Sequence, residues 1–119
     1  MKKRFIVELG VGTDLHGGDV TKATARAIKD AISHSCLCGI TEIVELKDLS
    51  KMEVRIKVGC PYPQKLDQEE ILKQVPFGKA TIDEVVTGGL STTGLHVDAL
   101  GEGDQIVISV VSLTVYLDV

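Results

Sequence analysis

The sequence predicts an α+β fold, a two-layer sandwich of a mostly antiparallel sheet with two helices on one face, in a single domain over residues 1–119. Three observations predict it. Apolar runs of strand length recur at residues 3–10, 52–58, 80–87 and 105–117. Helical spacing occurs in two stretches, one after Asp19 and one after Asp67. The resulting order, β-α-(β)-β-α-β-β, is broken only by short turns, and 119 residues suffice for one core but not for two.

The elements follow in chain order. Lys3 to Gly10 reads as a strand, with Phe5, Val7 and Leu9 on one face and Arg4, Ile6 and Glu8 on the other. A glycine-rich loop, Gly10-Val11-Gly12-Thr13-Asp14-Leu15-His16-Gly17-Gly18, runs to Asp19, whose side chain suits an N-cap. Val20, Ala23, Ala27, Ile28, Ala31 and Ile32 then recur at helical spacing, which predicts a helix to about Ser35 with an alanine-rich stripe fit for close contact with a sheet. Cys36 to Gly39 is a connector, and Ile40 to Leu46 fits either a short strand or a helical turn. Met52 to Val58 alternates cleanly, Val54, Ile56 and Val58 against Glu53, Arg55 and Lys57, and ends where Pro61 and Pro63 forbid regular structure. Asp67 caps a second helix to about Gln74, with Glu69 and Glu70 in its first turn, where the helix dipole favours acids. Ala80 to Thr87 is a strand, Gly88 to Gly94 a loop, Leu95 to Leu100 a candidate short strand, and Gly101 to Asp104 a turn. Gln105 to Leu117 is the longest strand, apolar on both faces, as in the centre of a sheet or between subunits.

Composition excludes several functions. Hydrophobic residues make up 44% of the chain but aromatics only 3%, so the core is aliphatic. A chain so small and apolar has more greasy surface than it can bury alone, which predicts a homo-oligomer. The net charge of −4, without a basic stripe or stacking aromatics, argues against nucleic acid as a partner. No apolar run reaches membrane-spanning length, and the run after the basic start is too short for a signal peptide. Three cysteines at Cys36, Cys38 and Cys60 fit no disulfide framework, so reduced thiols and a cytoplasmic location are expected.

The glycine-rich loop is the first candidate site. A dinucleotide turn needs a third glycine where Leu15 stands and no acid at the phosphate, and a phosphate-binding Walker loop needs Gly-Lys-Ser/Thr; both are rejected. Asp14 and His16 remain as an acid–base pair beside a helix start. They point the same way if the segment is extended, or they only satisfy turn amides. Gly12, Gly17 and Gly18 offer backbone for a ligand. His96 and Asp98 form a second pair, able to converge with the first or to sit at the surface. The loop Gly88 to Gly94 brings Ser91, Thr92 and Thr93, which suit a cradle for an anion, a serine nucleophile or an ordinary polar turn. Lys57, off the polar face of its strand, is the candidate to activate Ser91. His34, Cys36 and Cys38 lack a fourth metal ligand nearby and read as small buried groups, so no metal site is assigned. A small-molecule ligand is expected at the loops. No cofactor is named, and the choice between a hydrolase and a binding or sensor protein for a small anionic metabolite stays open.

Gly10-x-Gly12-x-Asp14-x-His16-Gly17, with Asp19 to Ala23 and Val58 to Pro61, resembles a small family of hypothetical proteins from bacteria and plants marked by an N-terminal GxGxDxHG. That resemblance spans the chain and implies a site without implying a chemistry. Helix 19–35, the strand ending Lys57-Val58-Gly59-Cys60-Pro61, and Ser91-Thr92-Thr93-Gly94 are similar in order to one repeat unit of the ring-opening amidohydrolases of the cyanuric acid hydrolase and barbiturase type. Lys57 lies two residues further from the proline than in that pattern, and no matching arginine follows.

Overall fold

The computed structural model describes residues 1–100 and 103–119; Gly101 and Glu102, within the expected turn, lie outside the described residues. The first strand, β1 (Lys2–Asp14), does not end at Gly10 but continues through Gly12 to Asp14. Packing explains the correction. Helix α1 (Val20–Ser33) lies so close that a Cβ on Gly10 would stand 2.0 Å from the Ala27 carbonyl oxygen, and one on Gly12 2.1 Å from that of Ala23. Hydrogen is the only side chain that admits the helix there. Ala23, Ala27 and Ala31, all buried, form the opposing stripe. Asp19 caps α1, its Oδ1 accepting from the amides of Thr21 at 2.9 Å and Lys22 at 3.1 Å.

The segment that fitted strand or helix opens with a single helical turn, α2 (Gly39–Glu42). After a 3-10 turn at Leu49–Lys51 come β2 (Met52–Cys60), a second such turn at Pro63–Lys65, and α3 (Gln68–Leu72), capped by Asp67 and shorter than expected. β3 (Lys79–Thr87) follows. Within the expected loop a short strand, β4 (Leu90–Thr93), forms. The candidate strand at 95–100 is instead irregular, with a 3-10 turn at Asp98–Leu100. β5 (Gln105–Asp118) is the last described element.

The fold is an α+β sandwich with a five-stranded, mostly antiparallel sheet in the order β1-β5-β2-β3, β4 pairing with β5. β5 runs antiparallel to β1, β2 and β4, and β2 and β3 are parallel. β2 leaves β5 at Gly59 opposite Val110, and β4 takes over with Leu90 opposite Ile108. The Gly88-Gly89 step makes the exchange. Gly88 N donates to Cys60 O at 3.0 Å, and Gly89, at φ +68°, passes where a Cβ would be 1.9 Å from Ile108 O.

The inner face carries the core, including Ile28, Ile56, Val58, Ile71, Val107 and Leu113, under α1 and α3. The outer face is divided. At one end Lys2 and Arg55 bracket Glu53, whose carboxyl they hold below its ordinary range, and the Arg55 guanidinium lies 4.4 Å from the Tyr116 ring centre. At the other end Val7, Leu9, Val11, Val86, Leu90 and Val110 are exposed, Leu9 to 71%. A bulge between Arg4 and Ile6 parts Phe5 from Val7 and Leu9: Phe5 packs on the core while the other two face outward. No helix among the described residues is long and apolar enough to cross a membrane.

Candidate functional site

β1 ends at Asp14, and Leu15 to Gly18 turn the chain into α1. Asp14 is 9% exposed and braces that turn: its Oδ2 accepts from Asp19 N at 2.9 Å, and Arg26 Nη1 lies 3.8 Å from its Oδ1 while donating to Thr13 O at 2.6 Å. Gly17 is exposed beside the Asp14 carboxylate. Gly18 adopts φ +61°, a conformation strained for any residue with a Cβ, and donates to Gln105 O at 3.1 Å; a Cβ there would sit 2.7 Å from Gln105 Oε1. The loop is thus clipped onto the start of β5. His16 is half-buried within it, its Nδ1 shielded from solvent and without a hydrogen-bond partner among the described residues.

Gln105 links this loop to Ser91. Its Nε2 donates to Tyr62 Oη at 2.6 Å and to Ser91 Oγ at 2.8 Å, and the two hydroxyls are 3.2 Å apart. The proton count of this triangle is informative. The amide uses both its hydrogens, one hydroxyl donates to the other, and the hydrogen of the second has no acceptor among the described residues. The hydrogen bonds from Ser91 and then Gln105 hold the Tyr62 phenol below its ordinary value, outweighing burial, and Lys65, 5.4 Å from the ring centre, adds to the effect. Behind it, burial pushes the Cys60 thiol up against the backbone hydrogen bond from Tyr62, so this cysteine is no thiolate nucleophile at neutral pH.

Tyr62 and Gln105 escape sequence reasoning. Tyr62 stands between two prolines, and Gln105 opens an apolar strand; the polar residue at that strand's inner edge was the one available signal. The other expected residues are dispersed. Lys57 lies on the outer face opposite Ser112, 3.6 Å from Glu84 Oε2, whereas Ser91 is on the inner face opposite Val107, so the expected Lys57–Ser91 partnership is not formed. Lys57 instead borders an outer-face groove of about 520 Å³ floored by Gly59, Val86 and Val110. Gly12 lies buried under α1, a packing position rather than a ligand surface. Thr92 and Thr93 are exposed on β4, and Thr93 is paired with Gln105. His96 Nε2 and Asp98 Oδ1, 2.7 Å apart, form an exposed local pair, while Asp14 is committed to its own turn. Cys36 and Cys38 are exposed, not buried as expected, because α1 ends before them. Among the described residues no group of three or more His, Cys, Asp or Glu is arranged to hold a metal.

A family model of conserved hypothetical proteins, Lin0512_fam, matches residues 4–115. The chain belongs to this family. Among solved structures it is similar to one from Nostoc punctiforme, described as an FtsZ-like protein of unknown function. The TM-score is 0.88 and the identity 34%, over 99% of this chain and 98% of that one. Comparison with the curated proteins gives no match.

Proposed function

We propose that this Lin0512_fam member is a self-associating protein that binds a small molecule at the Tyr62–Ser91–Gln105 triangle, beside the His16–Gly18 loop. The triangle carries the reading. Among the described residues one of its hydroxyl hydrogens has no acceptor and is open to an outside one, and the Lys65 ammonium stands near the Tyr62 ring. A carbonyl or carboxylate of a small anionic metabolite matches both. The divided outer face supports self-association, since its apolar end gains by contact with a second copy. Three free cysteines support a reducing, cytoplasmic compartment.

The 3.2 Å contact between Tyr62 and Ser91 favours a second reading as a hydrolase, in line with the partial similarity to ring-opening amidohydrolases. Ser91 Oγ is then the nucleophile on an amide carbonyl, and the Tyr62 hydroxyl in contact with it relays the proton, accepting that of Ser91 as it gives its own to the leaving nitrogen. The lysine that the amidohydrolase pattern supplies is absent from this arrangement, since Lys57 is on the other face.

Thermal shift against a panel of small carboxylates and cyclic amides tests the binding reading, because a ligand of the folded state raises apparent stability. The expected hit is lost in Tyr62→Phe and Ser91→Ala, both of which keep the wild-type melting temperature without ligand. A hit unaffected by both variants refutes the site. Release of ring-opened product from any hit, abolished in Ser91→Ala, selects the hydrolase.

A further inference from the structure

Helix α1 has 14 residues, about 21 Å, whereas the 14 residues of β5 extend about 46 Å. The helix therefore roofs only the half of the inner face that contains Gly10 and Gly12. Beyond its last turn the roof is thin, consisting of the connector around α2, the turn at Leu49, and residues 75–77. A cavity of about 470 Å³ lies between that roof and a floor that includes Val54, Leu113 and Val115. Its size falls within the range of about 300–1,000 Å³ typical of small-molecule sites.

Glu8 distinguishes this cavity from a packing defect. It occupies the inner face of β1, opposite Leu113 in register, and so brings a carboxylate to the border of an apolar chamber. Ser35 Oγ donates to that carboxylate, and Glu8 forms no ion pair among the described residues. The complement of such a chamber is an aliphatic chain ending in a cationic donor. A fatty acid of the same length meets like charge at the rim, and a neutral alcohol gains only the hydrogen bond.

We propose that this cavity is a binding site for a medium-chain aliphatic amine, its chain on Val54, Leu113 and Val115 and its ammonium on Glu8. The site is separate from the triangle, which lies at the other end of β5, and the two proposals stand or fall independently. Calorimetric titration with decylamine, decan-1-ol and decanoic acid, each kept below its aggregation concentration, tests it. Saturable binding of decylamine is expected, with decanoate weaker by at least about tenfold. Glu8→Gln, which keeps a partner for Ser35, is expected to bring the amine down to the affinity of the alcohol. Val75→Trp closes the chamber and should abolish binding of amine and alcohol alike, with an unchanged circular dichroism spectrum. Should that variant fail to fold, Leu49→Trp carries the same expectation from another part of the wall. Absence of decylamine binding, equal affinity for amine and acid, or undiminished binding in the folded tryptophan variant overturns the proposal.

Discussion

Tyr62 owes its altered phenol to two neighbours that are distant in the chain. Ser91 and Gln105 reach it only because β4 pairs with β5, with Thr93 opposite Gln105. In a Tyr116→Phe background, Tyr62 is the sole phenol, and ultraviolet titration is expected to place it below the ordinary value of about 10. Ser91→Ala should move it back up; an unmoved titration would show that the hydrogen bond does not act on the phenolate. The sign of the linkage follows. A lowered folded-state pKa adds stability above the unfolded value and loses it as pH falls through the folded one. Ser91 was legible in sequence because a hydroxyl in a glycine-flanked loop is a local pattern. Tyr62 and Gln105 were not, since nothing within a few residues of either reports the partner. Gly12 was misread for another reason: a glycine before a helix marks either a turn or a close approach. The alanine spacing in the following helix was the clue that decides between them.

At the scale of elements, the contact of α1 with β1 is an interlock of small residues, two glycines against three alanines. Ala27→Leu should overpack it at roughly 1–3 kcal/mol, and Gly12→Ala should cost at least as much, because its Cβ meets helix backbone rather than a movable side chain. Chemical denaturation measures both, and a neutral Gly12→Ala would refute the close approach. β2 provides a second check. Lys57→Ala should leave the melting temperature nearly unchanged, since the side chain lies on the outer face, whereas Val58→Asp, at a position 1% exposed, should cost several kcal/mol. Equal losses would mean the faces are exchanged. Elements with their own signals were readable: the Asp19 cap and 3.6-residue spacing for α1, the period of two for β2. β4 had none. Four residues between glycines become a strand because β2 stops at Cys60 and leaves the flank of β5 unpaired.

For the whole molecule, the two-layer architecture leaves one sheet face without helices among the described residues, and its apolar end is the surface proposed for self-association. Leu9→Asp combined with Val11→Asp should give a monomer by light scattering at micromolar concentration, with secondary structure intact. A wild-type chain that is already monomeric would remove that proposal. The outward turn of Val7 and Leu9 was not legible from β1 alone. Alternation tells which residues share a face, but the glycines on the other face decide which side the helix takes.

The position of β5 has a consequence for synthesis. This strand touches β1, β2 and β4, and β1 has no other sheet partner among the described residues. While a ribosome is still making residues 1–104, β1 has α1 to pack against but no strand to pair with. The native sheet forms only after the last strand emerges and inserts between two earlier ones. Such long-range closure is slow relative to local folding, and the nascent chain carries exposed strand edges throughout. Overproduction at lowered temperature, or with a chaperone that shields extended segments, should therefore raise the soluble yield more than any change to the surface of the finished protein.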